Sequence, residues 1–141
     1  MKKDVLILAL GVTTRFTVQH LRRPRVDLES LSPWIVHATD ANLPTLLEQG
    51  GEWVLLDFWS PSCGPCVRMK PELSGIAPLY KDKVTFLSLQ VVENASAGSF
   101  YGIRAIPALV LLRNGTEVDR RLGYHSNVQL QQWLDEHVLG G

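Results

Sequence analysis

The chain has 141 residues, of which 45% are hydrophobic and 20% are charged, as is typical of a soluble globular protein with a sizeable core. The formal net charge is zero, so composition gives no reason to expect nucleic acid or an acidic substrate. Two cysteines exclude a disulfide-rich scaffold and a four-cysteine zinc site. The scattered histidines are interpreted as solvent-facing or capping, so we expect no metal; they are His20, His37, His125 and His137.

Residues 1–32 differ from the rest, with six Lys/Arg against three Asp/Glu, a balance of +3. The apolar run Val5 to Val12 is too short to span a bilayer as a helix. It is also a poor signal peptide, because Asp4 precedes it and no small-x-small cleavage site follows. Three interpretations stay open: an ordered or partner-binding extension, an export signal or membrane anchor, and a disordered arm.

From residue 33 to residue 141 the pattern alternates between strands and helices. The first strand is predicted at Trp34–His37. Thr39 or Asp40 is the expected cap of a first helix, which ends at the glycines 50–51. The next strand, Trp53–Trp59, is almost entirely apolar, which indicates a central strand buried on both faces.

A second helix is predicted from Val67 to Tyr80, and its apolar positions form one stripe. Pro71 lies inside this helix and should kink it, because its ring clashes with the carbonyl of Val67. The stripe consists of Met69, Leu73, Ile76, Ala77 and Tyr80.

The C-terminal part predicts a β-hairpin and a last helix. Asn114-Gly115 is a strong hairpin signal, because a type I′ turn needs positive φ at both positions. Ser126 and Gln129 form a capping box. The complete order is βαβαβ, then a hairpin and a helix, which predicts an α/β fold with a mixed sheet covered on both faces. The predicted elements are a strand at Val84–Val92, a short helix or loop at Asn94–Tyr101, strands at Ala108–Arg113 and Thr116–Leu122, and a helix after Ser126 that buries Leu130, Trp133, Leu134 and Val138.

The most informative stretch is Cys63-Gly64-Pro65-Cys66, which follows the buried strand and opens the second helix. Two thiols separated by two residues can close into a disulfide and reopen, so the pair can carry two electrons. In this strand-to-helix context the spacing indicates redox chemistry. The other interpretation is an inert pair of buried cysteines.

The chain resembles the thioredoxin family over roughly residues 33–139. The resemblance implies a thioredoxin fold, protein-disulfide reductase activity through Cys63 and Cys66, and no cofactor beyond that pair. It also implies protein disulfides as substrates and a thioredoxin reductase or equivalent as electron donor. The matching pieces are Asp57-Phe58-Trp59, Cys63-Gly64-Pro65-Cys66, Pro71, Gly102 to Pro107, Arg113-Asn114-Gly115 and Gly123.

The predicted nucleophile is Cys63, because only a thiolate attacks a disulfide and the N-terminus of a helix favours the anion. Cys66, one turn further on, is the expected resolving thiol and should be more buried. Pro65 is tolerated in the first turn, where its missing N–H costs nothing. Gly64 keeps side-chain bulk away from the approach.

Asp57 stands alone in an apolar strand, so burial should raise its pKa. Such a carboxylate can take the proton from Cys66. The alternative is an aspartate at a strand end that is bonded to a backbone amide. Ser88 stands where the family has a lysine, and we therefore expect Asp57 to have no cation nearby and to be still harder to ionise.

The remaining candidates concern substrate binding. The resemblance implies a cis Ile106–Pro107 bond beside the cysteines, where the backbone of Ile106 can pair with an extended substrate; an ordinary trans proline is the alternative. Ser62 replaces the family's tryptophan and Tyr124 replaces a small residue, which could redirect partner choice. Substrate-binding candidates are Trp59, Ser62, Ile106, Pro107, Gly123 and Tyr124, although Trp59 also fits a core aromatic and Gly123 a plain turn residue.

Three functions compete. The first is a general cytoplasmic protein-disulfide reductase. The second is an exported or membrane-associated oxidoreductase with the same chemistry, although membrane association through residues 1–32 is the less favoured interpretation. The third is a non-catalytic interaction module, of which a metal-bridged dimer is a remote version. The Gly-Pro pair between the cysteines is the reducing member's pair in the family.

Overall fold

The computed structural model describes residues 32–140. The predictions for residues 1–31 therefore lie outside the described residues. Strands and helices alternate in the predicted order. The strands are β1 (Ile35–His37), β2 (Trp53–Trp59), β3 (Val84–Gln90), β4 (Ala108–Arg113) and β5 (Thr116–Leu122), and the helices are α1 (Leu43–Gln49), α2 (Gly64–Ile76), α3 (Ala95–Phe100) and α4 (Asn127–Val138), with a 3₁₀ turn at Ala77–Tyr80.

The strands form one mixed sheet in the order β1-β3-β2-β4-β5. β3 runs parallel to both β1 and β2, whereas β4 runs antiparallel to β2 and to β5. The long connections through α1 and α2 allow the parallel pairs, and the short hairpin allows only an antiparallel one. The predicted mixed sheet is confirmed, and β2 lies at its centre with all seven residues buried.

Each face of the sheet carries its own core, because successive side chains of a strand point to opposite faces. Leu55 of β2 packs with Leu73 of α2 and Leu130 of α4 on one face. Leu56 packs with Leu43 of α1 and Ala97 of α3 on the other. The helices therefore cover both faces, as predicted. Truncating such a buried leucine to alanine costs about 2–5 kcal/mol.

Helix α2 begins earlier than the apolar stripe predicted. Cys63 is its N-cap, and Pro65 lies in its first turn, where a proline is accepted because those amides have no helical partner. The helix continues through Pro71 to Ile76, and the predicted last turn is a 3₁₀ turn ending at Tyr80.

The capping of α1 differs from the prediction. Asn42 is the N-cap, and it exchanges hydrogen bonds with Thr39: each residue's backbone amide donates to the other's side chain. The carboxylate of Asp40 instead accepts the amides of Ser96 and Ala97, in the first turn of α3. Asp40 therefore caps a helix more than fifty residues away, and the reason is tertiary proximity.

The end of β3 and the hairpin follow local chemistry. The side-chain oxygen of Gln90 accepts the amides of Val92 and Glu93, so the strand ends two residues before the predicted Val92. Asn114 and Gly115 have φ of 51° and 83°, which confirms the predicted turn. The capping box of Ser126 and Gln129 is present as well.

Candidate active site

A disulfide joins Cys63 and Cys66 at the start of α2, after the loop that follows β2. Cys63 has extended backbone angles, φ −97° and ψ 109°, and is half-buried, whereas only 2% of Cys66 is exposed. The amide of Cys66 donates a hydrogen bond to Sγ of Cys63 over 3.2 Å. A negative charge on that sulfur would meet an unpaired helical N–H and the positive end of the helix dipole, both of which stabilise a thiolate.

The loop before β4 faces this disulfide. The Ile106–Pro107 bond is cis, as the resemblance implied. The carbonyl oxygen of Ile106 lies 3.8 Å from Sγ of Cys63. Gly123 donates its amide to the carbonyl of Pro107 over 2.8 Å, so the turn after β5 supports this loop. The structure thus brings the cysteines and the cis-proline loop together.

Gly123 has a φ of +86°, a conformation that L side chains rarely adopt, while an added Cβ would meet nothing within 4 Å. Its backbone conformation, rather than crowding, therefore requires glycine. The neighbouring Tyr124 is 42% exposed.

Ser62 precedes the first cysteine and is exposed. Its hydroxyl lies 3.0 Å from the hydroxyl of Ser60, and its amide donates to the same Ser60 oxygen. These bonds hold the loop before Cys63 without placing an aromatic side chain beside the sulfur. An added Cβ at Gly64 would meet only the tip of Arg68, at 3.4 Å.

Asp57 lies on β2 with 5% of its surface exposed. Burial raises its pKa, and the nearby Lys70 ammonium lowers the pKa only in part. Its Oδ1 is buried and has no hydrogen-bond partner among the described residues. Among residues 32–140, the hydrogen-bond partner of this carboxylate is Nζ of Lys70, on Oδ2, and not a backbone amide.

The expectation that Asp57 has no cation nearby is wrong. Nζ of Lys70 lies 3.1 Å from Oδ2 of Asp57 and 2.7 Å from the hydroxyl of Ser88. Only 3% of Lys70 is exposed. The cation comes from helix α2, and Ser88 on β3 accepts a hydrogen bond from it.

Sequence reasoning missed Lys70, although a signal was present. Residues Cys66, Lys70, Leu73 and Ala77 follow helical spacing on one stripe, and all four are buried. A lysine within such a stripe is placed in the protein interior, where a charge requires a partner. Asp57 was the isolated acidic residue available to it.

Trp59 supports the same cluster from β2. It is 2% exposed, and its ring lies under Nζ of Lys70 at 4.0 Å from the centroid, a cation–π contact. Its indole Nε1 has no hydrogen-bond partner within residues 32–140. The ring is therefore buried and packs against the ammonium of Lys70.

No group of three or more His, Cys, Asp or Glu side chains within the described part of the chain is arranged to hold a metal ion. Among the helices from residue 32 to residue 140, none has the length and apolar content to cross a membrane.

A half-exposed sulfur at a helix N-terminus, bonded to a buried sulfur and facing a cis-proline loop, is suited to dithiol–disulfide exchange. The protein is a thiol–disulfide oxidoreductase. The family model described as Thioredoxin matches residues 34–136. The chain is 33% identical to a thioredoxin of Haemophilus influenzae over 104 residues, which cover 74% of this chain and 97% of that protein.

A thioredoxin of Staphylococcus aureus is 36% identical over 104 residues, with 74% of this chain and 98% of that protein covered. The chain therefore belongs to the thioredoxin family, the oxidoreductases that reduce protein disulfides. The resemblance drawn from the motifs is confirmed, and the non-catalytic module is not favoured.

Proposed function

We propose that Cys63 is the nucleophile and Cys66 the resolving thiol of a general protein-disulfide reductase. The observation that carries this assignment is the asymmetry of the two sulfurs. Cys63 is half-exposed and accepts the amide hydrogen bond of Cys66, whereas Cys66 is 2% exposed. A substrate disulfide can reach the sulfur of Cys63 directly. The buried sulfur of Cys66 can react only with Cys63, inside the protein.

The reduced enzyme starts with a Cys63 thiolate, which attacks one sulfur of the substrate disulfide. The new bond joins Cys63 to the substrate, and the other substrate sulfur leaves as a thiolate. Cys66 then loses its proton and attacks Cys63, which forms the intramolecular disulfide and releases the second substrate thiolate. Two electrons pass to the substrate, whose two sulfurs end as thiols.

Asp57 accepts the proton of Cys66 in the second step. Its Oδ1 has no hydrogen-bond partner among residues 32–140, so a lone pair is free to take it. Because burial raises the pKa of Asp57, the carboxylate is a stronger base than an exposed aspartate.

The substrate segment lies in extended form along the Ile106–Pro107 loop, with Gly64 and Pro65 at the helix start leaving the approach open. Ile106 is positioned for this pairing because its carbonyl oxygen is 3.8 Å from Sγ of Cys63. Short β-augmentation of this kind uses main-chain hydrogen bonds, so it tolerates many sequences. The residues that flank the substrate segment and influence partner choice are Ser62, Gly123 and Tyr124. The buried ring of Trp59 supports this substrate contact from the protein interior.

Electrons come from a thioredoxin reductase or an equivalent donor, and the enzyme works in the cytoplasm without a cofactor. The family membership supports the general class of donor and substrate. We assign the activity to a domain of residues 33–141 and treat residues 1–32 as an extension, because the family match covers residues 34–136.

The test compares Asp57→Asn with Asp82→Asn, a control at an exposed aspartate. We expect Asp57→Asn to leave attack on the substrate unchanged and to slow release of the mixed disulfide between pH 6 and 9, measured with insulin and rapid quenching. An unchanged rate of release would remove Asp57 from the mechanism.

Titration of the cysteine pair against dithiothreitol should give a strongly reducing midpoint, and an oxidising midpoint would contradict the proposed reductase activity.

A further inference from the structure

We propose that His125 is a positioning residue for substrate binding. Its backbone amide and its imidazole fix the turn after β5, residues 123–125, against helix α2, and this turn holds the cis-proline loop that pairs with the substrate. The inference rests on the proposed pairing of a substrate segment with Ile106, and it adds a residue that lies outside the motifs of the family resemblance.

The turn after β5 is attached to helix α2 at its C-terminal end. The amide of His125 donates a hydrogen bond to Sδ of Met69 over 3.4 Å, and the amide of Asn127 donates to Oε1 of Glu72 over 2.7 Å. Met69 and Glu72 are three residues apart on α2, so they lie on the same side of the helix. The helix that begins at the cysteines therefore holds the end of this turn at two points.

The imidazole of His125 closes the turn from within. Its Nδ1 lies 3.0 Å from the carbonyl oxygen of Gly123. A carbonyl oxygen only accepts hydrogen bonds, so Nδ1 carries the hydrogen and donates it. Gly123 has a φ of +86°, and a glycine backbone has the most conformational freedom to lose. The side chain of His125 therefore restrains the residue of the turn that is the most adaptable.

Gly123 connects the turn to the substrate-binding loop. Its amide donates to the carbonyl oxygen of Pro107 over 2.8 Å. The preceding residue, Ile106, has its carbonyl oxygen 3.8 Å from Sγ of Cys63. Both backbone polar groups of Gly123 are thus engaged, one by His125 and the other by Pro107. A continuous series of contacts connects helix α2 with the loop that faces the cysteine at its N-terminus.

This arrangement acts on substrate binding rather than on the chemistry of the sulfurs. Pairing with an extended segment uses main-chain groups, and a loop that must be ordered during binding lowers the affinity. A turn that is already fixed by His125 reduces this cost. The sulfur of Cys63 receives its hydrogen bond from the amide of Cys66, which does not involve the turn. A disulfide without a polypeptide segment therefore gains nothing from His125.

The test measures kcat and KM of the full chain for insulin and for hydroxyethyl disulfide. His125→Leu removes the side-chain donor. We expect KM for insulin to rise about threefold to tenfold, the range that corresponds to one lost hydrogen bond, while kcat and the reduction of the small disulfide stay at the parent values. His125→Asn should return KM towards the parent value, because the amide nitrogen of asparagine can donate to the carbonyl of Gly123 in place of Nδ1.

Two further variants separate positioning from stability. His137→Leu removes a 2.9 Å contact between a histidine and Asp119 in the last turn of α4. It should lower the free energy of unfolding and leave KM for insulin unchanged. Met69→Leu nearly conserves the buried volume and removes the sulfur acceptor. It should raise KM by less than His125→Leu does, because a thioether is a weak acceptor.

Three results would overturn the role of His125: the parent KM in His125→Leu, an equal rise of KM in His125→Leu and His125→Asn, or an equal loss of activity on insulin and on hydroxyethyl disulfide. Met69→Leu decides the question in the same way if His125→Leu does not fold.

Cys63→Ser distinguishes this proposal from the proposed function. If that variant is inactive while His125→Leu keeps the parent KM, the cysteine mechanism stands and the positioning role alone fails. If Cys63→Ser reduces insulin at the parent rate, the proposed function fails, and the role of His125 fails with it.

Discussion

The backbone amide of Cys66 lies 3.2 Å from Sγ of Cys63 and donates a hydrogen bond to it. In the proposed mechanism, the nucleophile Cys63 is therefore stabilised by Cys66, the residue that later displaces the substrate from it. Because the donor belongs to the backbone, this stabilisation does not depend on the side chain at position 66.

That relationship predicts different results for the two cysteines. Cys66→Ser keeps the amide donor, so we expect normal attack followed by an accumulating mixed disulfide. Cys63→Ser removes the nucleophile and should abolish insulin reduction. Mass spectrometry of the quenched reaction detects the trapped species. Insulin reduction by Cys63→Ser at the parent rate would contradict the assignment.

Ser62 is exposed next to Cys63, and we propose that this position contacts the substrate. We expect Ser62→Trp to raise kcat/KM for insulin, because about 1 kcal/mol of additional apolar burial corresponds to roughly a fivefold gain. Reduction of the small hydroxyethyl disulfide, which has no chain to contact the ring, should not change. Ser62→Ala is the matched control and should behave as the parent. An equal gain on both substrates would show that position 62 acts on the thiol rather than on recognition.

The buried pair of Asp57 and Lys70 predicts a pH-dependent stability. Because burial raises the pKa of Asp57 above its unfolded value of 3.8, its contribution to stability is complete below pH 3.8 and is lost as pH rises through the folded-state pKa. The neutral double variant Asp57→Asn/Lys70→Met should therefore gain stability relative to the parent over that range. Urea unfolding at several pH values measures the difference. A constant difference between the two proteins would contradict the linkage.

Asp119 predicts the opposite slope at low pH. Partial burial acts to raise its pKa, but hydrogen bonds from Trp133, His137 and the amide of Arg120, together with the Arg121 charge, outweigh it and lower the pKa to about 2. Its contribution to stability is thus present above pH 3.8 and is lost as pH falls towards 2. We expect the parent to lose about 1–2 kcal/mol more than Asp119→Asn between pH 5 and pH 2. Equal losses in thermal or urea unfolding would rule out this carboxylate as the source.

The capping box at the start of α4 offers a test confined to stability. The hydroxyl of Ser126 accepts the amide of Gln129, and the Gln129 side chain accepts the amide of Ser126. Ser126→Ala should cost about 1 kcal/mol of unfolding free energy and leave the reduction rate unchanged. Gln132→Ala, at an exposed position of the same helix, should have a much smaller effect. A loss of activity in Ser126→Ala would show that α4 also supports the active site.

Local signals predicted most of the secondary structure because they act over a few residues. Asn114-Gly115 forms its turn through its own backbone preferences, and Ser126 caps its helix through the residue three positions later. The start of α2 was predicted less well, because Cys63 caps the helix and Pro65 is accepted in its first turn, whereas the prediction followed the apolar stripe. Asp40 illustrates a contact that no short window contains, since it caps a helix that is distant in the chain.

The spacing of Cys63 and Cys66 after an apolar strand was enough to predict a redox pair. Two thiols this close in the chain can form a disulfide whatever the tertiary structure around them. The fold class followed from the alternation of strands and helices in the same way. The environment of Asp57 was decided only by tertiary structure. Its cation comes from a helix thirteen residues away rather than from the neighbouring strand, and only the packing of α2 on the sheet brings Lys70 within 3.1 Å of the carboxylate. A buried charge is stabilised by whichever partner the packing brings to it, so its protonation depends on contacts between elements that are separate in the sequence.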